Sequence, residues 1–234
     1  MVREFEDKLN GNIFDIPELR NQIGIFRDRE HAGLVLSQML ASYKETDAII
    51  FGIPAGGVPV AAPIAQKLKL DLDVAVVSKI TLPWNTEAGY GAVAFDGTVQ
   101  LNKGMISRMG LTDDDIKKGT EKASLKIKRR FKEFRENKLF LDLKNRPAVL
   151  VDDGIASGFT MLVAVEALKK AGARKIIVAV PTAHLDALEK VAPMVDEVYC
   201  ANVRGGWGFA VAEAYHNWYD VDDEEVALIL KKFQ

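Results

Sequence analysis

Hydrophobic positions in this chain fall into short unbroken runs separated by stretches of helical period. DAIIFGI (47–53), LDVAVVSKI (72–80), PAVLV (147–151), KIIVAVP (175–181) and EVYCANV (197–203) are rich in Val and Ile and bounded by turn residues. Runs of this kind predict strands buried on both faces. Between them, Arg29–Tyr43, Val58–Leu70, Met161–Ala171 and Leu185–Val191 are amphipathic and predict helices. The alternation predicts an α/β fold: an open, mainly parallel sheet flanked by helices.

Two segments interrupt the alternation. TLPWNTEAGYGAVAFDGTVQLN (81–102) is rich in Gly and polar residues with a short alternating stretch, which predicts a loop and hairpin projecting from the sheet. Thr112 to Asn137 opens with Thr112 and Asp115 at capping-box spacing and runs on without proline, which predicts one long helix.

Composition narrows the class. With 234 residues, 48% of them hydrophobic, the chain is long enough to bury a full core, and no repeat, low-complexity tract or linker divides it. The expectation is a single domain over 1–234. A net charge of -2 provides no global attraction to nucleic acid or acidic membranes. One cysteine, Cys200, excludes an internal disulfide, and MVREFEDKLNGN lacks the apolar centre of a secretion signal. No apolar run approaches the ~18 residues a membrane helix needs, so a cytoplasmic location is expected.

The chemistry concentrates in VLVDDGIASGFT (149–160). In an open parallel sheet, ligands collect beyond the carboxyl ends of the strands, where Val149–Val151 delivers Asp152 and Asp153. Gly154 permits a sharp turn, Gly158 a close backbone approach, and Ser157 and Thr160 offer hydroxyls. A helix starting near Phe159 aims its N-terminal amides at the loop. Carboxylates accept hydrogen bonds from a diol, and the amides suit a phosphate, so a ribose 5-phosphate unit matches the layout. A P-loop is excluded: only three residues separate Gly154 from Gly158, and Phe159 stands where lysine is needed. Dinucleotide-binding GxGxxG fails on spacing too.

VLVDDGIASGFT resembles the phosphoribosyl diphosphate (PRPP) signature of the type I phosphoribosyltransferases, with four apolar residues, two acids, then a small-residue loop ending in Gly-x-Thr. The resemblance implies that family's fold, with a small hood over about 1–26 and 203–234 and a flexible loop over about 81–102. Asp152 and Asp153 would hold the ribose hydroxyls, directly or through Mg2+, with or without water between. Gly154, Ile155, Ala156, Ser157, Gly158, Phe159 and Thr160 would form the 5-phosphate loop. FGIPAGGVPVA (51–61) stands where the family places its pyrophosphate loop, here Pro54, Ala55, Gly56 and Gly57. Many relatives carry Arg or another polar residue at Ala55, so a cation is missing there. Lys79 stands where the family often has a basic residue near the diphosphate. Glu87 and Tyr90 would complete the site when the flexible loop closes.

FRDREHAG, KITLPWNTEAGYGAVAFDG and GGWGFAVAEAYHNWYDVDDEEV further resemble a subgroup of phosphoribosyltransferase-like proteins with unassigned acceptor. Ala156 occupies the position of an acidic residue in hypoxanthine and guanine enzymes, which argues against that chemistry. Trp207, flanked by glycines, and Phe209 are candidates for the acceptor hood, while most tail aromatics read as core. The resemblance implies PRPP and a small nitrogenous acceptor as ligands, a transfer that releases pyrophosphate, and a homo-oligomer without nucleic-acid or membrane partners. The alternative is a non-catalytic PRPP or nucleotide sensor. KIKRRFKEFR (126–135) reads as a solvated or oligomer-contacting helix face, and His31, His184 and His216 lack metal-ligand spacing with Cys200.

Overall fold

Strands β2 (Ile49–Gly52) and β7 (Pro147–Val151) lie side by side, parallel, with every residue of both buried. They share a sheet with β1 (Ile13–Asp15), β3 (Asp71–Val74), β8 (Lys175–His184) and β9 (Glu197–Arg204). The order across these six strands is β1-β9-β8-β7-β2-β3, and every pairing is parallel. The structure is a computed structural model and describes residues 11–135 and 141–233, with the side chains of residues 86 and 87 left aside.

Alternate residues of each strand feed opposite layers, as a strand period of two requires. Ile50, Val149, Val151, Ile177 and Ala179 pack beneath α1 (Arg29–Met39) and α2 (Gly57–Leu68). Ile49, Phe51, Ala148, Leu150 and Val178 pack on the other face, beneath α5 (Phe159–Lys170) and α6 (Leu185–Val191). Helices on both faces of a parallel sheet are the expected α/β arrangement. Gly33 lets α1 lie against α2, because a Cβ there would collide with the Val60 carbonyl and the Pro63 ring.

The run 72–80 is not one strand. After β3 the Ala75 amide donates to Gly52 O at 3.0 Å, and the chain then leaves the sheet to begin β4 (Val77–Leu82). β4, β5 (Asn85–Ala94) and β6 (Val99–Leu101) form a separate antiparallel sheet. The expected excursion at 81–102 is therefore mostly ordered sheet, covered by α3 (Lys103–Met109) and α4 (Asp113–Arg135).

α4 starts as its capping box predicts: the Thr112 amide donates to Asp115 Oδ2 at 3.0 Å, and the Asp115 amide donates to Thr112 Oγ1 at 3.2 Å. Its described part ends at Arg135, and residues 136 and 137 of the expected helix lie outside the described residues. α7 (Asp223–Lys231), absent from the sequence reading, packs against α4 and is tied to it by Arg130–Asp223, 2.7 Å. Among the described residues, no helix is long and apolar enough to cross a membrane.

Candidate active site

The carboxyl ends of β2 and β7 open into a cleft of about 570 Å³. Its walls bring together Pro54, Ala55 and Gly56, the whole of 152–160, Lys79 from β4, and Lys126 and Arg130 from α4. The sequence-predicted loops after the two central strands thus converge, since β2 and β7 pair in register.

Close approach explains the glycines. A Cβ on Gly56 would run into the Asp153 carboxylate, 2.6 Å from Cγ, and one on Gly57 would lie 2.6 Å from Val151 O. The Pro54–Ala55 peptide is cis. Gly57 begins α2, and its amide donates to Ile53 O at 2.9 Å. Gly158 has φ +78° and precedes α5, whose first amides face the loop.

Within the 152–160 loop the residues divide into two groups. Ile155 is buried, its amide donates to Thr182 O at 3.0 Å, and its carbonyl accepts from the His184 amide at 2.9 Å. Ile155 is therefore an anchor to β8, and its N–H is already committed; this corrects its assignment as a phosphate contact. Ala156 and Ser157 are exposed at the cleft, with Phe159 and Thr160 behind them.

Asp152 and Asp153 are recessed together. Asp152 Oδ1 accepts from the Asp153 amide at 2.9 Å. Burial, then the charge of Asp153, holds Asp152 well above the usual carboxylate range, against the pull of Lys79 and Arg29. Burial also raises Asp153, opposed by Arg29. Arg29 donates from Nε (3.0 Å) and Nη2 (2.9 Å) to Asp153 Oδ2, and from Nη1 to Tyr219 O at 2.9 Å. Its guanidinium lies 4.0 Å from the Trp218 ring centroid. Tyr215 donates its hydroxyl to Asp153 O at 2.6 Å. Asp28 caps α1 by accepting from the His31 amide, which fixes the turn that carries Arg29.

Sequence reading missed Arg29, Tyr215 and Trp218 as supports of the acidic pair, because two segments remote from it supply them. It also misjudged the basic run on α4: Lys126 and Arg130 face the cleft. Arg130 is held by Asp223, whereas Lys79 and Lys126 pair with no carboxylate among the described residues. Cations thus reach this cleft although Ala55 brings none.

Three further assignments change. Tyr90 is fully buried beneath α4, its hydroxyl donating to Asp115 O at 3.1 Å, so it does not reach the cleft. Gly119 makes room for it, since a Cβ there would strike the Tyr90 hydroxyl. Trp207 is fully exposed, and Phe209 packs edge-on to His184; neither lines the cleft, where Val211 and Trp218 stand instead. The side chain of Glu87 and residues 1–10 of the expected hood lie outside the described residues.

Comparison with known proteins identifies the family. The phosphoribosyl transferase domain model matches residues 96–214, a span that contains the acidic pair and its loop. A protein of Mycobacterium tuberculosis, named provisionally as a phosphoribosyl transferase in two strains, is 35% identical over 208 residues, 89% of this chain and 47% of its own length. The chain thus spans about half the length of the curated relatives it matches. The crystal structure of TT1426 from Thermus thermophilus is similar with a TM-score of 0.72 and 33% identity, over 89% of this chain and 98% of that one. The chain belongs to the phosphoribosyl transferase domain family.

Proposed function

We propose that the protein transfers the 5-phosphoribosyl group of PRPP to a nitrogenous acceptor and releases pyrophosphate. The observation that carries this reading is the acidic pair Asp152–Asp153 sharing one cleft with the 154–160 loop and with Pro54–Gly56, while Gly57, its amide committed to Ile53 O, serves the turn rather than the ligand. A ligand with a diol between two phosphate groups matches this lining.

In this reading Asp152 and Asp153 accept hydrogen bonds from the vicinal ribose hydroxyls. Ala156 to Thr160 receive the 5-phosphate through backbone amides and the hydroxyls of Ser157 and Thr160. The acceptor nitrogen forms its bond to the anomeric carbon as the bond from that carbon to the diphosphate oxygen breaks, and the electron pair leaves with pyrophosphate. Lys79 and Lys126, which line the cleft, would offset that growing negative charge. Arg29 and Tyr215 position Asp153 without touching the ligand. Catalysis rests on positioning and charge stabilisation.

The donor set fits Mg2+, a hard cation that takes one or two carboxylates together with substrate oxygens. Two recessed carboxylates, raised by burial and only partly offset by Arg29 and Lys79, provide such a set. Bound with PRPP, the ion would neutralise diphosphate charge, with Asp152 and Asp153 holding it. The carboxylates would also accept from the diol with the cation absent.

The test is phosphorus NMR of PRPP and magnesium with the protein, with and without a pool of purine, pyrimidine and pyridine acceptors. Pool-dependent pyrophosphate, abolished by Asp153→Asn, is the expected result. PRPP that stays intact with broadened lines would mark a sensor, and unbroadened lines would remove the reading.

A further inference from the structure

Beside the cleft runs a second cavity of about 690 Å³ between α4 and β4, and the two share Ser78, Lys79, Thr81 and Lys126. Five cations line it, Lys79, Lys118, Lys122, Lys126 and Arg129, against one acid, Asp115. The lysines of α4 recur every four residues and so form one stripe, which Arg130 continues into the cleft over about 18 Å of helix.

The stripe is not neutralised. Lys118 has an exposed pair with Asp114 (2.6 Å), and Arg129 a longer one with Asp223 (3.3 Å). Lys122, like Lys79 and Lys126, pairs with no carboxylate among the described residues. Partial burial lowers the Lys126 ammonium below the usual lysine range, and its cationic neighbours, Arg130 first, lower it further. A concave surface crowded with like charge stores a repulsion that an anion relieves.

We propose that this groove binds a linear phosphate chain longer than diphosphate, with one end at Lys79 and Lys126 and the other at Lys118 and Lys122. The inference rests on the reading above for placing the diphosphate of PRPP beside Lys79. A chain seated this way overlaps that diphosphate and competes with PRPP, so the groove makes the site responsive to oligophosphates. Among the described residues no aromatic side chain lines the groove to stack a base, and the chain carries a net charge of -2, so a nucleic-acid strand fits less well.

Calorimetry at constant magnesium tests this with pyrophosphate, tripolyphosphate and ATP on the wild type and a K118Q/K122Q variant, whose changes fall on exposed positions of α4. The wild type is expected to bind tripolyphosphate about tenfold more tightly than pyrophosphate, two exposed charge contacts being worth that much. The variant should lose the preference and keep its pyrophosphate affinity. Binding of ATP at the tripolyphosphate level would assign the chain to a nucleotide; binding of tripolyphosphate alone would assign it to a free oligophosphate. Equal affinities in the wild type, or a preference that survives K118Q/K122Q, would overturn the proposal. So would tighter binding of a single-stranded oligonucleotide than of tripolyphosphate. Lysine-dependent tripolyphosphate binding without any binding of PRPP or pyrophosphate would uphold the groove and remove the transferase reading instead.

Discussion

Arg29 Nε and Nη2 both donate to a single oxygen, Asp153 Oδ2, joining the first turn of α1 to the loop after β7. Arg29 is only 4% exposed, so removing it would leave a recessed carboxylate without its main counter-charge. Arg29→Met is expected to destabilise the fold by about 3–5 kcal/mol, the range for breaking a buried pair from one side. PRPP affinity should fall as well, because Asp153 would more readily take a proton. Arg29→Lys should recover only part of both losses, since an ammonium reproduces neither the fork nor the stacking on Trp218. Urea unfolding and PRPP calorimetry measure the two effects, and unchanged PRPP affinity in Arg29→Met would refute the positioning role.

Asp152 predicts an inverted pH dependence. Its native pKa is raised, so between the ordinary aspartate value of about 3.9 and the higher native value the folded state binds more protons than the unfolded one. Stability from this group is therefore present at acid pH and lost as pH rises through the native pKa. Asp152→Asn removes the penalty while its amide oxygen can still accept from the Asp153 N–H. The variant should match the wild type at low pH and melt higher at alkaline pH, by about 2–4 °C for each kcal/mol relieved. Its PRPP binding should be severely weakened. Melting curves across the pH range are the check, and a gap that widens towards acid would contradict the assignment.

Tyr90 belongs to the scaffold. Its hydroxyl reaches a backbone carbonyl of α4, so Tyr90→Phe should cost about 1–2 kcal/mol of stability from the lost hydrogen bond. Turnover of folded protein should be unaffected. A large fall in kcat with normal stability would return Tyr90 to the reacting centre.

The parts of the site legible in the sequence were those written contiguously. Asp152 to Thr160 and Pro54 to Gly57 each follow a buried run directly, so strand, turn and helix start could be read together. Arg29, Tyr215 and Trp218 act through tertiary packing from distant segments, and no local pattern marks them. The four-residue spacing of Lys118, Lys122, Lys126 and Arg130 was visible, but the direction in which that face points depends on how α4 lies over β4. The break in 72–80 was hidden because Ala75 and Val76 are as apolar as the residues around them; the Ala75–Gly52 hydrogen bond ends β3 there. Tyr90 was misread because a glycine-rich, alternating segment suits an exposed hairpin as well as a buried one.

The adjacency of β2 and β7 also bears on how the molecule is made. These neighbours are separated in the chain by β3, the whole antiparallel sheet and α4. Their pairing is a long-range contact, entropically slow to close, whereas the β7–α5–β8 unit can assemble from nearby chain. The acidic pair and the 154–160 loop can thus take shape before Gly56 arrives to complete the pocket. Ligand-binding competence is acquired only when the two ends of this detour meet, which makes it a late marker of maturation for the nascent chain.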